Sequence, residues 1–167
     1  GERAITVIGN RLSPSSDDKL PWDLLNDYDG IFVTASDINS LKSCRKAKKV
    51  TATPRVGLDI IKAANIKLDA LIGSGLDPDE TVHPEMLKLA PNSIILTEGS
   101  MGGTFMPGGR YEAVKLNTKV IDTYGCGDSF AAGFTAGLSA TWSVDQAISL
   151  GAHCGAECAT HLGPYGK

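Results

Sequence analysis

The chain has 167 residues, a formal net charge of -3 and a sequence pI near 5.6. Its 42% hydrophobic and 21% charged residues are the ordinary proportions of a single globular core. The acidic balance excludes a general nucleic-acid binder, which carries a basic face, and no apolar run reaches the roughly 20 residues of a membrane-spanning helix.

In chain order, Ala4 to Ile8 reads as a strand, Trp22 to Tyr28 as a short helix and Gly30 to Thr34 as a strand. Asp37 or Asn39 caps a helix running through Leu41 and Cys44. The basic residues Lys42, Arg45, Lys46, Lys48 and Lys49 read as a solvated helix face. Val50 to Thr53 is β-like before Pro54, Leu58 to Ala64 is helical, and Leu68 to Ile72 is a strand. Pro84 to Ala90 follows as a helix, Ser93 to Thr97 as a strand, and Phe105 to Val114 as a hairpin turning at Pro107-Gly108-Gly109. A β-prone run, Lys119-Val120-Ile121, then leads through a Gly-x-Gly turn into a helix with Phe130, Phe134 and Leu138 on one face. Gly133 and Gly137 form a second stripe that permits close packing. Ser143 to Gln146 is a capping box opening a helix to about Ala159. Strands alternating with helices of this length predict an α/β fold with a parallel sheet covered on both faces. Ligands in such sheets gather at the carboxyl ends of the strands, where Thr97 and the 122–128 loop are expected.

That loop carries the chemistry. At a helix start the amides of Gly125, Cys126 and Gly127 lack helical partners and can point together at an anion. Asp128 on the first turn is placed to accept the proton of a hydroxyl attacking a phosphoryl group. Taken alone, Gly-x-Gly-Asp is equally an acid complementing a helix dipole. The longer string at 122–130, D-T-Y-G-C-G-D-S-F, resembles the D-T-x-G-A-G-D-x-F signature of the ribokinase-like (PfkB-type) carbohydrate kinases, with Cys126 where Ala is usual.

The resemblance implies that Asp128 is the catalytic base and that Gly125, Cys126 and Gly127 form the anion hole. Ser93 to Gly103 looks like the family's T-x-G-x-x-G segment, which assigns Thr97, Gly99 and Gly102 to the nucleotide site. The family's N-x-x-E segment is altered. The matching positions are Ser74 and Asp77, and Asp77 or Glu80 is expected to hold magnesium through water. The implied cofactors are ATP and Mg2+, with a monovalent cation as an accessory, and the implied partner is a small sugar-like substrate. The implied fold is a three-layer sandwich around a mostly parallel sheet.

Family members run to roughly 300 residues, near the upper size of one core. The opening G-E-R-A-I-T-V-I-G resembles the family's mid-chain strand, and no initiator Met is present. Residues 1–167 are therefore expected to be the C-terminal portion of one kinase domain, lacking the N-terminal strands and lid. Alone they should bind ATP weakly, and the full-length parent is expected to form a homodimer. The expected activity is ATP-dependent phosphorylation of a hydroxyl on a sugar or sugar-like metabolite. The alternatives are a nucleoside kinase and a non-catalytic nucleotide- or metabolite-binding module; the intact Asp128 weighs against the last.

His153, Cys154, Cys158 and His161 cluster on one predicted helix. Zinc accepts such ligands, but one helix seldom closes a tetrahedron, and the surrounding glycines and alanines suggest buried free thiols instead. Four cysteines without close pairing fit a reducing cytoplasm. Cys126, at a helix start, is expected to be sensitive to alkylation.

Overall fold

The computed structural model describes residues 8, 9, 12–89 and 91–163, and within them strands and helices alternate around one six-stranded sheet. Strands β1 (Gly30–Val33), β2 (Lys49–Ala52), β3 (Ala70–Ser74) and β4 (Ser93–Thr97) lie side by side and parallel. Beyond β4 a hairpin of β5 (Gly103–Met106) and β6 (Gly109–Tyr111) continues the sheet antiparallel.

Strand residues alternate between two cores, which makes the molecule three layers thick. Val33, Val50, Ala52, Leu71 and Ile94 pack with Leu41, Cys44, Ile61, Ala64 and Met86. Those partners come from α1 (Ile38–Cys44), α2 (Leu58–Ala64) and α3 (Pro84–Lys88). On the other face Ala70, Ile72 and Ile95 meet Phe130, Ala131, Phe134, Ala147 and Ile148. These belong to α4 (Cys126–Ser139) and α5 (Val144–Cys158). Helices α4 and α5 pack closely along the glycine stripe: a Cβ on Gly133 would lie 2.7 Å from Cys154 Sγ, and one on Gly151 would lie 2.7 Å from Phe130 O.

The local signals worked where they were strongest. Asp37 caps α1 in a reciprocal box with Ser40, and Ser143 caps α5 in the same way with Gln146. The Asp37 carboxylate also accepts from Ser16 N at 2.9 Å, tying the preceding loop to the helix. Four expectations need correction. The Trp22–Asp27 segment is a 3₁₀ turn, without a side-chain cap. Strand β3 begins and ends two residues later than expected, because its ladder with β4 runs through Ser74 opposite Thr97. Lys119 to Ile121 is no strand: the N–H of Ile121 goes to Ala159 O at 2.8 Å, beyond the end of α5, rather than to a neighbouring strand. The basic cluster is exposed at Lys42, Lys46 and Lys48, as expected, but only Lys42 lies on a helix, because α1 ends at Cys44. Lys46 pairs with Asp23, Lys48 with Asp29, and Arg45 and Lys49 with Asp69. The expected strand at Ala4 to Ile8 lies outside the described residues except for Ile8, as does Ala90 at the expected end of α3.

Asp69 is the buried member of that charge network. Its Oδ2 accepts from Arg45 Nη1 at 2.7 Å and from Val50 N at 2.9 Å. Burial alone would raise its pKa, but Arg45, the Val50 amide and Lys49 outweigh burial and hold it below the usual 3.8. A depressed carboxyl contributes stability above its unfolded pKa and loses it as pH falls through the folded value. Asp69→Asn should therefore cost about 2 kcal/mol at neutral pH. Thermal melts should show the gap from wild type closing as pH falls below 3.8. A gap independent of pH would refute the electrostatic account.

Candidate active site

Two contacts orient α4 against the sheet. Near its start, the Phe130 ring stacks on Tyr111 of β6 with centroids 5.8 Å apart. Tyr111 pairs with Gly103, which in turn pairs with Thr97 at the carboxyl end of β4. Near the other end of α4, a Cβ on Gly30 would meet Ser139 Oγ at 2.1 Å, at the beginning of β1. Helix α4 thus runs antiparallel to β1–β4, and its N-terminus stands at the carboxyl edge of the sheet.

The loop entering α4 is braced before it turns. Asp122 Oδ1 accepts from Tyr124 N at 2.9 Å, and Oδ2 accepts from Gly163 N at 3.1 Å. Cys158 of α5 donates its thiol to Tyr124 O at 3.6 Å. Gly125 is the N-cap, in the left-handed region at φ 83°, a conformation that glycine adopts without steric penalty. Its carbonyl accepts the first helical bond, from Ser129 N at 2.8 Å. Of the three amides assigned to the anion hole, that of Cys126 donates to Thr123 O at 3.4 Å. Those of Gly125 and Gly127, and that of Asp128 itself, have no acceptor among the described residues. Gly127 is exposed, and a Cβ there would meet nothing within 4 Å beyond its chain neighbours and its own helix turn. The Asp128 side chain is exposed and has no hydrogen bond or ion pair among the described residues.

Ser74 and Thr97 are register partners at the ends of β3 and β4, and Gly75 N donates to Thr97 O at 2.9 Å. Thr97 Oγ1 donates to Gly73 O at 3.3 Å. After Thr97 the chain makes a 3₁₀ turn, Gly99–Met101, closed by Glu98 N to Gly102 O at 2.7 Å. Gly102 is required by its surroundings: at φ 80°, a Cβ there would lie 2.0 Å from Tyr111 O. The turn is held by a pair that sequence reasoning missed. Arg110 of β6 binds Glu98 Oε2 at 2.6 Å and Met101 O at 3.3 Å through Nη2. The only sequence signal for it was the predicted hairpin, which brings Arg110 back beside β4.

The proposed metal positions behave differently. Ser74 Oγ accepts from Leu76 N at 3.2 Å. Asp77 caps the 3₁₀ turn Pro78–Glu80 through Oδ1, and its Oδ2 receives Arg55 Nη2 at 2.5 Å. Glu80 binds Arg55 Nε at 2.6 Å. Among the described residues, no three His, Cys, Asp or Glu side chains come together as a metal set. Ser74 and Asp77 each accept hydrogen bonds from within the protein, and the cation against Asp77 is Arg55. In the Cys/His group, Cys158 is buried, Cys154 packs on Gly133, and His153 Nδ1 bonds Ser149 O at 2.8 Å.

The family profile described as pfkB family carbohydrate kinase matches residues 31–166. No curated protein matches the chain. Among solved structures, ribokinase from Thermotoga maritima superposes with a TM-score of 0.67 at 20% identity, over 87% of this chain and 55% of that one. Adenosine kinase from Sinorhizobium meliloti gives 0.64 at 17% identity, over 87% and 53%. The Burkholderia thailandensis nucleoside kinase, solved in complex with inosine, gives 0.62 at 22% identity, over 79% and 50%. The chain spans about half the length of these structures, and the shared fold is ribokinase-like.

Proposed function

Because the chain belongs to the pfkB family of carbohydrate kinases, we propose that residues 1–167 form the nucleotide-binding and catalytic half of an ATP-dependent kinase acting on a hydroxyl of a sugar or sugar-like metabolite. One observation carries this reading. Asp128, exposed and unpartnered among the described residues, stands on the first turn of α4, where the amides of Gly127 and Asp128 have no acceptor among those residues either.

In this reading Asp128 accepts the proton of the acceptor hydroxyl at a carboxylate oxygen. The N–H groups at the start of α4, aided by the positive end of the helix, hold negative charge on the transferred group. Asp122 fixes that loop through Tyr124 and Gly163. Thr97, Gly99 and Gly102 border the nucleotide on the β4 side. When bound, ATP supplies the phosphoryl group. Magnesium belongs to the reading as a partner of the nucleotide phosphates, and the monovalent cation has no residues assigned to it. A nucleoside is the second acceptor class: both an adenosine kinase and a nucleoside kinase share the fold, and the same residues would act on its hydroxyl. A purely binding role would leave Asp128 without work to do.

The test is ATP-dependent phosphorylation of a panel of sugars and nucleosides by the full-length protein, together with calorimetry of nucleotide binding. Gly127→Val should weaken nucleotide binding at least about tenfold, because the side chain occupies the approach to the free amides. The fold itself accommodates the change, since a Cβ at Gly127 meets nothing beyond its chain neighbours and its own helix turn. Unchanged affinity in a folded Gly127→Val protein would mean that this loop does not hold phosphate.

A further inference from the structure

The loop after β3 carries three carboxylates, Asp77, Asp79 and Glu80, at the active edge of the sheet, and Arg55 is built in as a cation against two of them. We propose that Arg55 is the positioning residue of the 75–80 loop, occupying Asp77 and Glu80 so that this loop holds no divalent metal. The inference stands on the loop geometry alone and does not need the kinase reading.

Arg55 is launched from a rigid base. It lies in the 3₁₀ turn Pro54–Val56 that follows β2, where the Thr53 hydroxyl accepts from Arg55 N at 2.8 Å and Pro54 is buried. From there one face of the guanidinium is divided between two acids, Nη2 to Asp77 Oδ2 at 2.5 Å and Nε to Glu80 Oε1 at 2.6 Å. The other Asp77 oxygen takes Asp79 N at 3.0 Å, so no carboxylate oxygen of Asp77 is left without a donor. Burial by itself would lower the Arg55 pKa, but Glu80 and Asp77 outweigh it and raise it, so the guanidinium stays charged. The side chains are only 20–36% exposed, which shields the pairs from solvent.

The same contacts set where the loop lies. A Cβ on Gly73 would sit 3.0 Å from Glu80 O and 3.2 Å from Pro54, so the turn is seated against the end of β3. Gly75 N on Thr97 O joins the loop to β4, next to the Thr97–Gly102 segment. Magnesium keeps most of its waters and takes one or two carboxylates. At Asp77 Oδ2 or Glu80 Oε1 it meets an arginine that is tethered in place and carries its own positive charge.

Manganese serves as the spectroscopic probe, with no nucleotide present. By electron paramagnetic resonance, the wild-type chain should take up no Mn2+ below roughly 1 mM. Arg55→Gln, which frees both acids, should bind Mn2+ at least about tenfold more tightly. Arg55→Lys, which restores a positive charge, should return binding to the wild-type level. In wild-type protein the Arg55 Nε–H should give an exchange-protected NMR signal that Mn2+ does not broaden. Wild-type uptake below 1 mM that Asp77→Asn abolishes would overturn the proposal, and so would Mn2+ broadening of that signal. A folded Arg55→Gln protein binding no more Mn2+ than wild type would also overturn it. The NMR measurement decides even where Arg55→Gln does not fold. Nucleotide calorimetry separates a failure here from a failure of the kinase reading.

Discussion

Asp128→Asn should lower phosphotransfer at least about 100-fold in the full-length protein while nucleotide affinity stays at or slightly above wild type. The amide has the shape of the carboxylate but cannot take a proton. It also removes a negative charge from beside the phosphates, which favours their binding. Because Asp128 is exposed and without a partner among the described residues, the melting temperature should fall by no more than roughly 1–4 °C, the helix-dipole contribution of a first-turn acid. This combination separates a base from a structural acid: turnover falls, binding holds and the fold is untouched. Near-normal turnover in the variant would remove Asp128 from the mechanism.

Gly102→Ala is expected to be the most damaging of the single-methyl changes near the site. The added Cβ would lie 2.0 Å from Tyr111 O, 2.8 Å from Ala113 N and 2.9 Å from Glu112 C, all backbone atoms that no rotamer can move aside. The residue must also keep φ near 80°, where an L side chain costs roughly 1–2 kcal/mol. Relief of the clash by backbone shifts adds roughly 1–3 kcal/mol. For a chain of this size, a loss of about 3 kcal/mol lowers the melting temperature by roughly 6–12 °C. The Thr97–Gly103 turn should loosen with it, so nucleotide binding should weaken in parallel. Wild-type melting would show that the hairpin does not press on this turn.

Gly102 and Gly127 show why a glycine motif alone under-describes a site. Both were assigned to ligand contact from their place in a string. A Cβ on Gly102 would run into the backbone at the end of β6 and just after it, whereas one on Gly127 would meet nothing beyond its chain neighbours and its own helix turn. The first is therefore tested primarily by stability, with any effect on nucleotide following from it, and the second by ligand affinity.

What was legible in the sequence is what depends on near neighbours. The apolar spacing of Leu58 to Ala64 and the β-run Ser93 to Thr97 gave elements with the observed bounds. The Ser143 capping box is a contact three residues long and was readable as such. The order of strands and helices implied a covered parallel sheet, and the 122–130 string pointed to the family before any geometry was known. The tertiary structure decided whatever depends on a partner distant in the chain. Lys119 to Ile121 has β-prone residues, but Ile121 bonds beyond the end of α5, and without a paired edge extended residues make no strand. The end of β3 moved to Ser74 because β4 supplied a partner there. Arg55 reads as a loose surface charge until the sheet brings together the turns after β2 and β3, placing it on Asp77 and Glu80. Local propensity costs or contributes fractions of a kcal/mol per residue, whereas hydrogen-bond pairing and charge burial act only once distant segments meet. The chain order alone does not state which segments those are.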